Sequence, residues 1–122
     1  MDAVDAARAW AEAWDRGWRA HDPDVIAARY SDACEFRSHP FREPLHGRDG
    51  ARRYTEQAFA QERSAQPSFT DPIVASDGRA AVEYRASITT TDGTQATLVG
   101  VTVLRFDDAG LVVEHRDYWA MQ

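Results

Sequence analysis

The chain lacks the raw material that several classes of function require. It has a single cysteine, Cys34, so no internal disulfide can form, which fits a reducing cytoplasm. A lone cysteine at a strand start reads as a small core residue. No apolar run approaches the roughly 20 residues needed to cross a bilayer. The acidic, amphipathic N-terminus (MDAVDAARAW) has neither the basic nor the apolar region of a secretory signal. Lysine is absent: the 14 basic residues are all arginine, which we read as GC-rich coding. These arginines are scattered rather than striped, and the net charge is −6. Both facts argue against nucleic acid and an anionic membrane as partners. There is no glycine-rich phosphate loop, nucleophile elbow or zinc-type spacing.

What is present is 122 residues, 43% hydrophobic and 28% charged, the measure of one soluble domain spanning 1–122 with one core. Apolar residues at Val4, Ala7, Ala11, Trp14 and Trp18 mark one stripe of a helix over Asp2–Ala20, broadened by Trp10. Asp22 suits an N-cap and Pro23 the first position of a short second helix to about Tyr30. Cys34–Ser38 reads as a strand and His39–Gly47 as a loop with two prolines. Asp49 can cap a third helix through about Arg63, with Ala51, Tyr54, Ala58 and Phe59 inward. Strands are expected at Phe69–Ala75, Arg79–Thr91, Thr94–Phe106 and Leu111–Ala120. The turns between them contain Asp77-Gly78, Asp92-Gly93 and Asp107–Gly110. Helices first and an antiparallel meander after is an α+β layout.

Side chains alternate along a strand. Val82, Tyr84, Ala86 and Ile88 therefore form one apolar face that must meet the helices. Leu98, Gly100, Thr102 and Leu104 oppose Thr97, Val99, Val101 and Val103, and both of these faces are largely apolar. A strand apolar on both sides is covered on both, which points to a homodimer through the outer face at Val99, Val101, Val103 and Arg85. The alternative is that valine serves β-propensity alone. On the last strand Val113, His115, Asp117 and Trp119 share a face, and a His and an Asp on a covered face need a partner or a job.

The order helix, Asp22-Pro23-Asp24, short helix, strand, His39-Pro40-Phe41 loop, glycine-led helix and closing Arg116-Asp117-Tyr118-Trp119 resembles the nuclear-transport-factor-2-like superfamily, most closely its SnoaL-like branch. The resemblance covers essentially the whole chain. It implies a cystatin-like cone, a curved antiparallel sheet wrapped around three N-terminal helices, with a pocket open at one end and dimers through the outer sheet face. Where the superfamily's ketosteroid isomerases carry a Tyr and two Asp, this chain has Trp14, Ser38 and Thr102, so that machinery is missing. Arg85, Arg105 and Arg116 fall on the outward parity, so the Asp-Arg-Asp trio of limonene-type epoxide hydrolases is not evident. What remains is similar to SnoaL-like polyketide cyclases, which use an Asp as acid/base, assisted by a His, without a cofactor.

On that resemblance Asp117 and His115 are the catalytic candidates. The expected pocket wall is Trp14, Trp18, Phe36, Ser38, His39, Phe41, Tyr54, Tyr84, Gly100, Thr102 and Trp119. Asp117 is the base, and His115 or Tyr54 the donor to a developing enolate. A carboxylate in that role needs its pKa moved toward neutrality, which burial among aromatics promotes and a protonated His opposes. His115 lies about 7 Å along the strand from Asp117. His39, His115 and Asp117 would suit iron or zinc if they converged, but no spacing demands it, and neither a metal nor a cofactor is expected. Fold alone does not give function. The expected function is acid/base catalysis on a small apolar, aromatic or polyketide-like molecule. The alternatives are a non-catalytic ligand-binding cone, with its Asp and His already satisfied, and a dimerisation domain whose cone is filled by Trp14 and Trp18.

Overall fold

The computed structural model describes every residue from Met1 to Gln122. Helix α1 spans Ala3–Ala20; Asp2 caps it, its carboxylate accepting the Asp5 N–H at 2.8 Å, a contact worth about 1 kcal/mol. Its stripe of Trp10, Trp14 and Trp18 is buried. The helix ends at His21, the one non-glycine residue with positive φ (51°). Asp22 caps α2 (Pro23–Ala27) by accepting the N–H groups of Asp24 and Val25. The second helix is shorter than its sequence pattern predicts. Tyr30 instead opens strand β1 (Tyr30–Arg37) because it pairs with Val112 and its side chain is fully buried; tertiary pairing outweighs helix propensity there.

The loop expected over 39–47 contains a two-residue strand, β2 (Leu45–His46), antiparallel to β1. Helix α3 spans Gly47–Ala60 with His46 at the N-cap, so Asp49 lies in the first turn and does not cap. Strand β3 (Glu62–Phe69) starts where the third helix was expected to continue, and it includes Pro67. Proline is tolerated there because β3 is an edge strand whose one neighbour on that side is β5. Of the strand expected over Phe69–Ala75, only Ile73–Val74 (β4) forms beyond the end of β3. Strands β5 (Ala80–Thr90), β6 (Gln95–Phe106) and β7 (Val112–Met121) follow the sequence reading closely. Their turns use Gly78, Gly93 and Gly110 at φ of 86°, 87° and 80°, a conformation only glycine adopts freely.

The sheet order is β2-β1-β7-β6-β5-β3, with β4 also on β5. It is curved and unclosed, with the helices packed against one face. Every pair is antiparallel except β1–β7, which is parallel and sets Phe36 opposite His115. The inward faces of β5 and β6 are as the alternation predicts: Val82, Tyr84, Ala86, Ile88, Thr102 and Leu104 are buried. β7 departs from it near its start. Phe106 faces Val112 while Arg105 faces Glu114, so a bulge accommodates one extra residue. Val112, not Val113, therefore joins the buried face with His115. No helix is long and apolar enough to cross a membrane.

Candidate functional site

Helix α1, helix α3 and the concave sheet face enclose a cavity of about 310 Å³. Two acceptor–donor systems from β7 stand in its wall. The first is Asp117, opposite Thr102 on β6. Its Oδ1 accepts the Tyr84 hydroxyl at 2.7 Å and the Thr102 hydroxyl at 3.3 Å. Burial, reinforced by the facing carboxylate, holds the Tyr84 phenol far above its ordinary value. Tyr84 is therefore a donor to Asp117 and never a base.

Gly100 makes that contact possible. It stands opposite both Tyr84 and Trp119. A Cβ at Gly100 would lie 2.7 Å from the Tyr84 hydroxyl oxygen and 2.8 Å from Trp119 Cβ and the Tyr118 carbonyl. The missing side chain is the room through which Tyr84 reaches Asp117. Gly100→Ala should therefore cost about 1–3 kcal/mol in a thermal melt and move Tyr84 off Asp117. An unchanged melting temperature would contradict this packing.

The second system is His115, whose side chain is 1% exposed. The Phe36 ring stacks on it at 3.9 Å between centroids. Behind it lies the Tyr30 hydroxyl, which receives the indole N–H groups of Trp10 at 2.9 Å and Trp14 at 3.0 Å. An indole nitrogen only donates, and a hydroxyl oxygen has two lone pairs. Both are taken, so the Tyr30 proton goes to its remaining neighbour, His115 Nδ1, at 2.9 Å. Nδ1 is thus an acceptor, and Nε2 carries the imidazole proton. An imidazolium would bring a third donor to the same oxygen and leave the Tyr30 O–H without an acceptor. Nε2 is buried without a hydrogen-bond partner, 3.7 Å from Asp117 Oδ2. A buried donor left unpaired costs about 1–3 kcal/mol and calls for a reason.

The phenols of Tyr54 and Tyr30 are held protonated too. Burial pushes Tyr54 up to about 12, with the Asp117 charge adding to it, and burial raises Tyr30 well above its usual value. All four indole N–H groups are committed: two to Tyr30, that of Trp18 to Glu62 at 2.9 Å, and that of Trp119 to the Ser38 carbonyl at 2.6 Å.

Of the residues singled out from sequence, Trp14, Trp18, Tyr54, Tyr84, Thr102, His115, Asp117 and Trp119 line the cavity. Phe36 does not, because it lies behind His115. Ser38 sits behind Trp119, and His39 packs edge-on against that indole at 4.9 Å. His39 therefore does not join His115 and Asp117, and no three His, Cys, Asp or Glu side chains converge. Phe41 projects outward, 94% exposed. Gly100 supplies space rather than surface. Cys34 is buried, its thiol pushed up to about 12 by burial and the neighbouring Glu35.

Two charged wall residues escape the sequence reading, Arg42 and Glu62. Arg85 and Arg105 are exposed as their parity predicts, but Arg42 reaches the cavity from the loop after β1. Its guanidinium lies 5.5 Å over the Trp119 ring and donates to Ser38 Oγ at 3.4 Å. The proline-bracketed loop was the available signal for it. Glu62 was hidden because it reads as a solvated charge at a helix end.

A family model described as "SnoaL-like domain" matches residues 7–115. No curated protein matches the chain by sequence. Among solved structures, an NTF2-like protein of unknown function from Exiguobacterium sp. 255-15 has a TM-score of 0.79 at 14% identity, over 94% of this chain and 98% of its own. The epoxide hydrolase/cyclase-like enzyme SalBIII of pyran ring formation in salinomycin has 0.81 at 18%, over 95% and 91%. A Δ5-3-ketosteroid isomerase from Mycobacterium sp. has 0.77 at 21%, over 100% and 98%. At these identities the likeness is one of fold.

Proposed function

Because the chain belongs to the SnoaL-like domain family, we propose that it is a small-molecule enzyme that transfers a proton in its cone by acid/base catalysis. The observation that carries this reading is the unpartnered His115 Nε2–H facing Asp117 Oδ2 in an apolar, aromatic cavity. A flat, mostly apolar substrate with a C–H next to a carbonyl lies edge-on to this pair, reached by Oδ2 and, once the two side chains part from their 3.7 Å separation, by Nε2. Asp117 Oδ2 takes the carbon-bound proton while Tyr84 and Thr102 hold Oδ1 in place. The electron pair moves to the carbonyl oxygen, and His115 Nε2–H stabilises the resulting enolate. Return of the proton to another atom gives an isomer; attack by the enolate carbon on a second carbonyl gives a ring. No electrons leave the substrate, so the step needs no redox cofactor.

The binding-module alternative draws support from Asp117 Oδ1, which is already satisfied. Against it stand Oδ2 and Nε2, to which the protein supplies no hydrogen bond. Against the filled-cone alternative stands the cavity that Trp14 and Trp18 line without closing. The test is deuterium incorporation next to the carbonyl of 2-tetralone, a flat ketone, followed by NMR in D2O. The expected result is saturable exchange, inhibited by 2-naphthol. Exchange no faster than with the same concentration of acetate would sink the reading.

We also propose that the outer face of β6 pairs two copies. Val99 is 41% and Tyr118 44% exposed, and Val101 and Val103 on the same face are only half-buried. Sedimentation equilibrium should give a dimer that Val101→Glu dissociates. A monomeric wild type would contradict this.

A further inference from the structure

Glu62 is a carboxylate in an unfavourable place. Its side chain is 9% exposed. It follows the C-terminal end of α3 and faces the last turn of α1, so two helix ends turn partial negative charge toward it. Burial holds it above the usual carboxylate range, offset in part by hydrogen bonds from Trp18 and His21. The protein nonetheless builds a seat for it. Trp18 Nε1–H donates to Oε1 at 2.9 Å, and His21 Nε2 lies 3.3 Å from the same oxygen. The His21 ring is fixed by stacking on Phe59 at 4.9 Å. Both contacts fall on Oε1, and the protein supplies no hydrogen bond to Oε2 of this cavity-lining residue.

Two polar ends thus share one apolar cavity. Asp117, Thr102 and His115 make one, and Gln61, Glu62 and Thr90 the other. Trp18 and Tyr84 connect them, 6.3 Å apart between centroids, with the Trp18 N–H on Glu62 and the Tyr84 O–H on Asp117. The two rings meet at 63°, so a flat ring can stack on one and meet the edge of the other while its substituents reach both ends. A carboxylate oxygen accepts hydrogen bonds, so the group it seats must donate one. We propose that Glu62, seated by Trp18 and His21, is a second anchor of the cavity. The ligand is then a flat apolar molecule with a hydroxyl or amino group at the end remote from the carbonyl. The assignment of the carbonyl end rests on the proposed function; the anchor itself does not.

The test compares 2-naphthol with naphthalene-2,6-diol and naphthalene-2,7-diol by calorimetry. One diol should bind wild type about tenfold or more tightly than the mono-ol, the effect of one hydrogen bond to a charged acceptor. Glu62→Leu should erase that advantage, and Glu62→Gln, which keeps a carbonyl acceptor for Trp18, should retain part of it. Asp117→Asn should leave the advantage in place while abolishing exchange of 2-tetralone, so the two readings fail separately. Equal binding of mono-ol and diols, no binding of any of them, or an advantage that survives Glu62→Leu overturns the anchor. If Glu62→Leu does not fold, a reduced advantage in Glu62→Gln supports it and full retention there overturns it.

Discussion

Asp117→Asn is expected to lower the turnover number for 2-tetralone exchange by about 10²–10⁴, equivalent to about 3–5 kcal/mol of barrier. The substitution keeps the shape of the side chain and an Oδ1 for Tyr84 and Thr102 to hold. It replaces Oδ2 with an amide nitrogen whose lone pair is delocalised and takes no proton. Stability should therefore stay within about 1–2 kcal/mol of wild type, since buried volume and the number of Oδ1 hydrogen bonds are kept and only their charge assistance is lost. A kinetic collapse with intact melting identifies a base. A variant that exchanges as fast as wild type shows that Asp117 is not one.

Tyr30→Phe should produce the largest loss of stability of any single-atom deletion in the chain. The Tyr30 oxygen serves three buried groups: the indoles of Trp10 and Trp14 and the Nδ1 of His115. Removing it leaves all three in a region where Trp10, Tyr30 and His115 are at most 2% exposed. Each unsatisfied group costs about 1–3 kcal/mol, so the variant should lose about 3 kcal/mol or more. For a chain of this length that corresponds to a fall in Tm of about 12 °C. His115 also loses the partner that holds its proton on Nε2, so exchange should slow even below the melting transition. A loss under about 1 kcal/mol would show that the three groups find other partners.

The part of the fold read most faithfully from sequence is the β5–β6–β7 meander. Its turns need glycine at positive φ, and its inner residues alternate with outer ones, so chemistry and period point the same way. What escaped is tertiary. Tyr30 continues an apparent helix by local pattern, yet pairs with Val112 across the sheet. Pro67 argues against a strand unless the strand is known to lie at an edge, and sequence does not reveal edges. The β7 bulge shifts Val113 off the buried face, which a strict two-residue period does not anticipate.

The site divides in the same way. Asp117 and His115 were visible because charged groups on an inward strand face are rare. Their separation along the strand is set by the backbone, while the 3.7 Å between Nε2 and Oδ2 is set by rotamers that Phe36, Tyr30 and Tyr84 impose. Tyr30 itself was invisible as a site residue, since nothing local links it to a histidine so far along the chain. Arg42 and Glu62 sit where one element ends and the next begins, and there a charge reads as solvated until the neighbouring element closes over it.

The central claim is that His115 is a neutral imidazole with its proton on Nε2, unpaired and facing Asp117 Oδ2 at the cavity wall. Long-range 1H–15N NMR on protein labelled at histidine measures this directly, with His115→Gln assigning the resonances. The account predicts Nδ1 at the shift of a bare, hydrogen-bond-accepting ring nitrogen and Nε2 at that of a protonated one near pH 7. It also predicts that the Nε2 proton moves downfield when 2-naphthol fills the cavity. A proton on Nδ1, a doubly protonated ring, or an Nε2 proton indifferent to the ligand would contradict it.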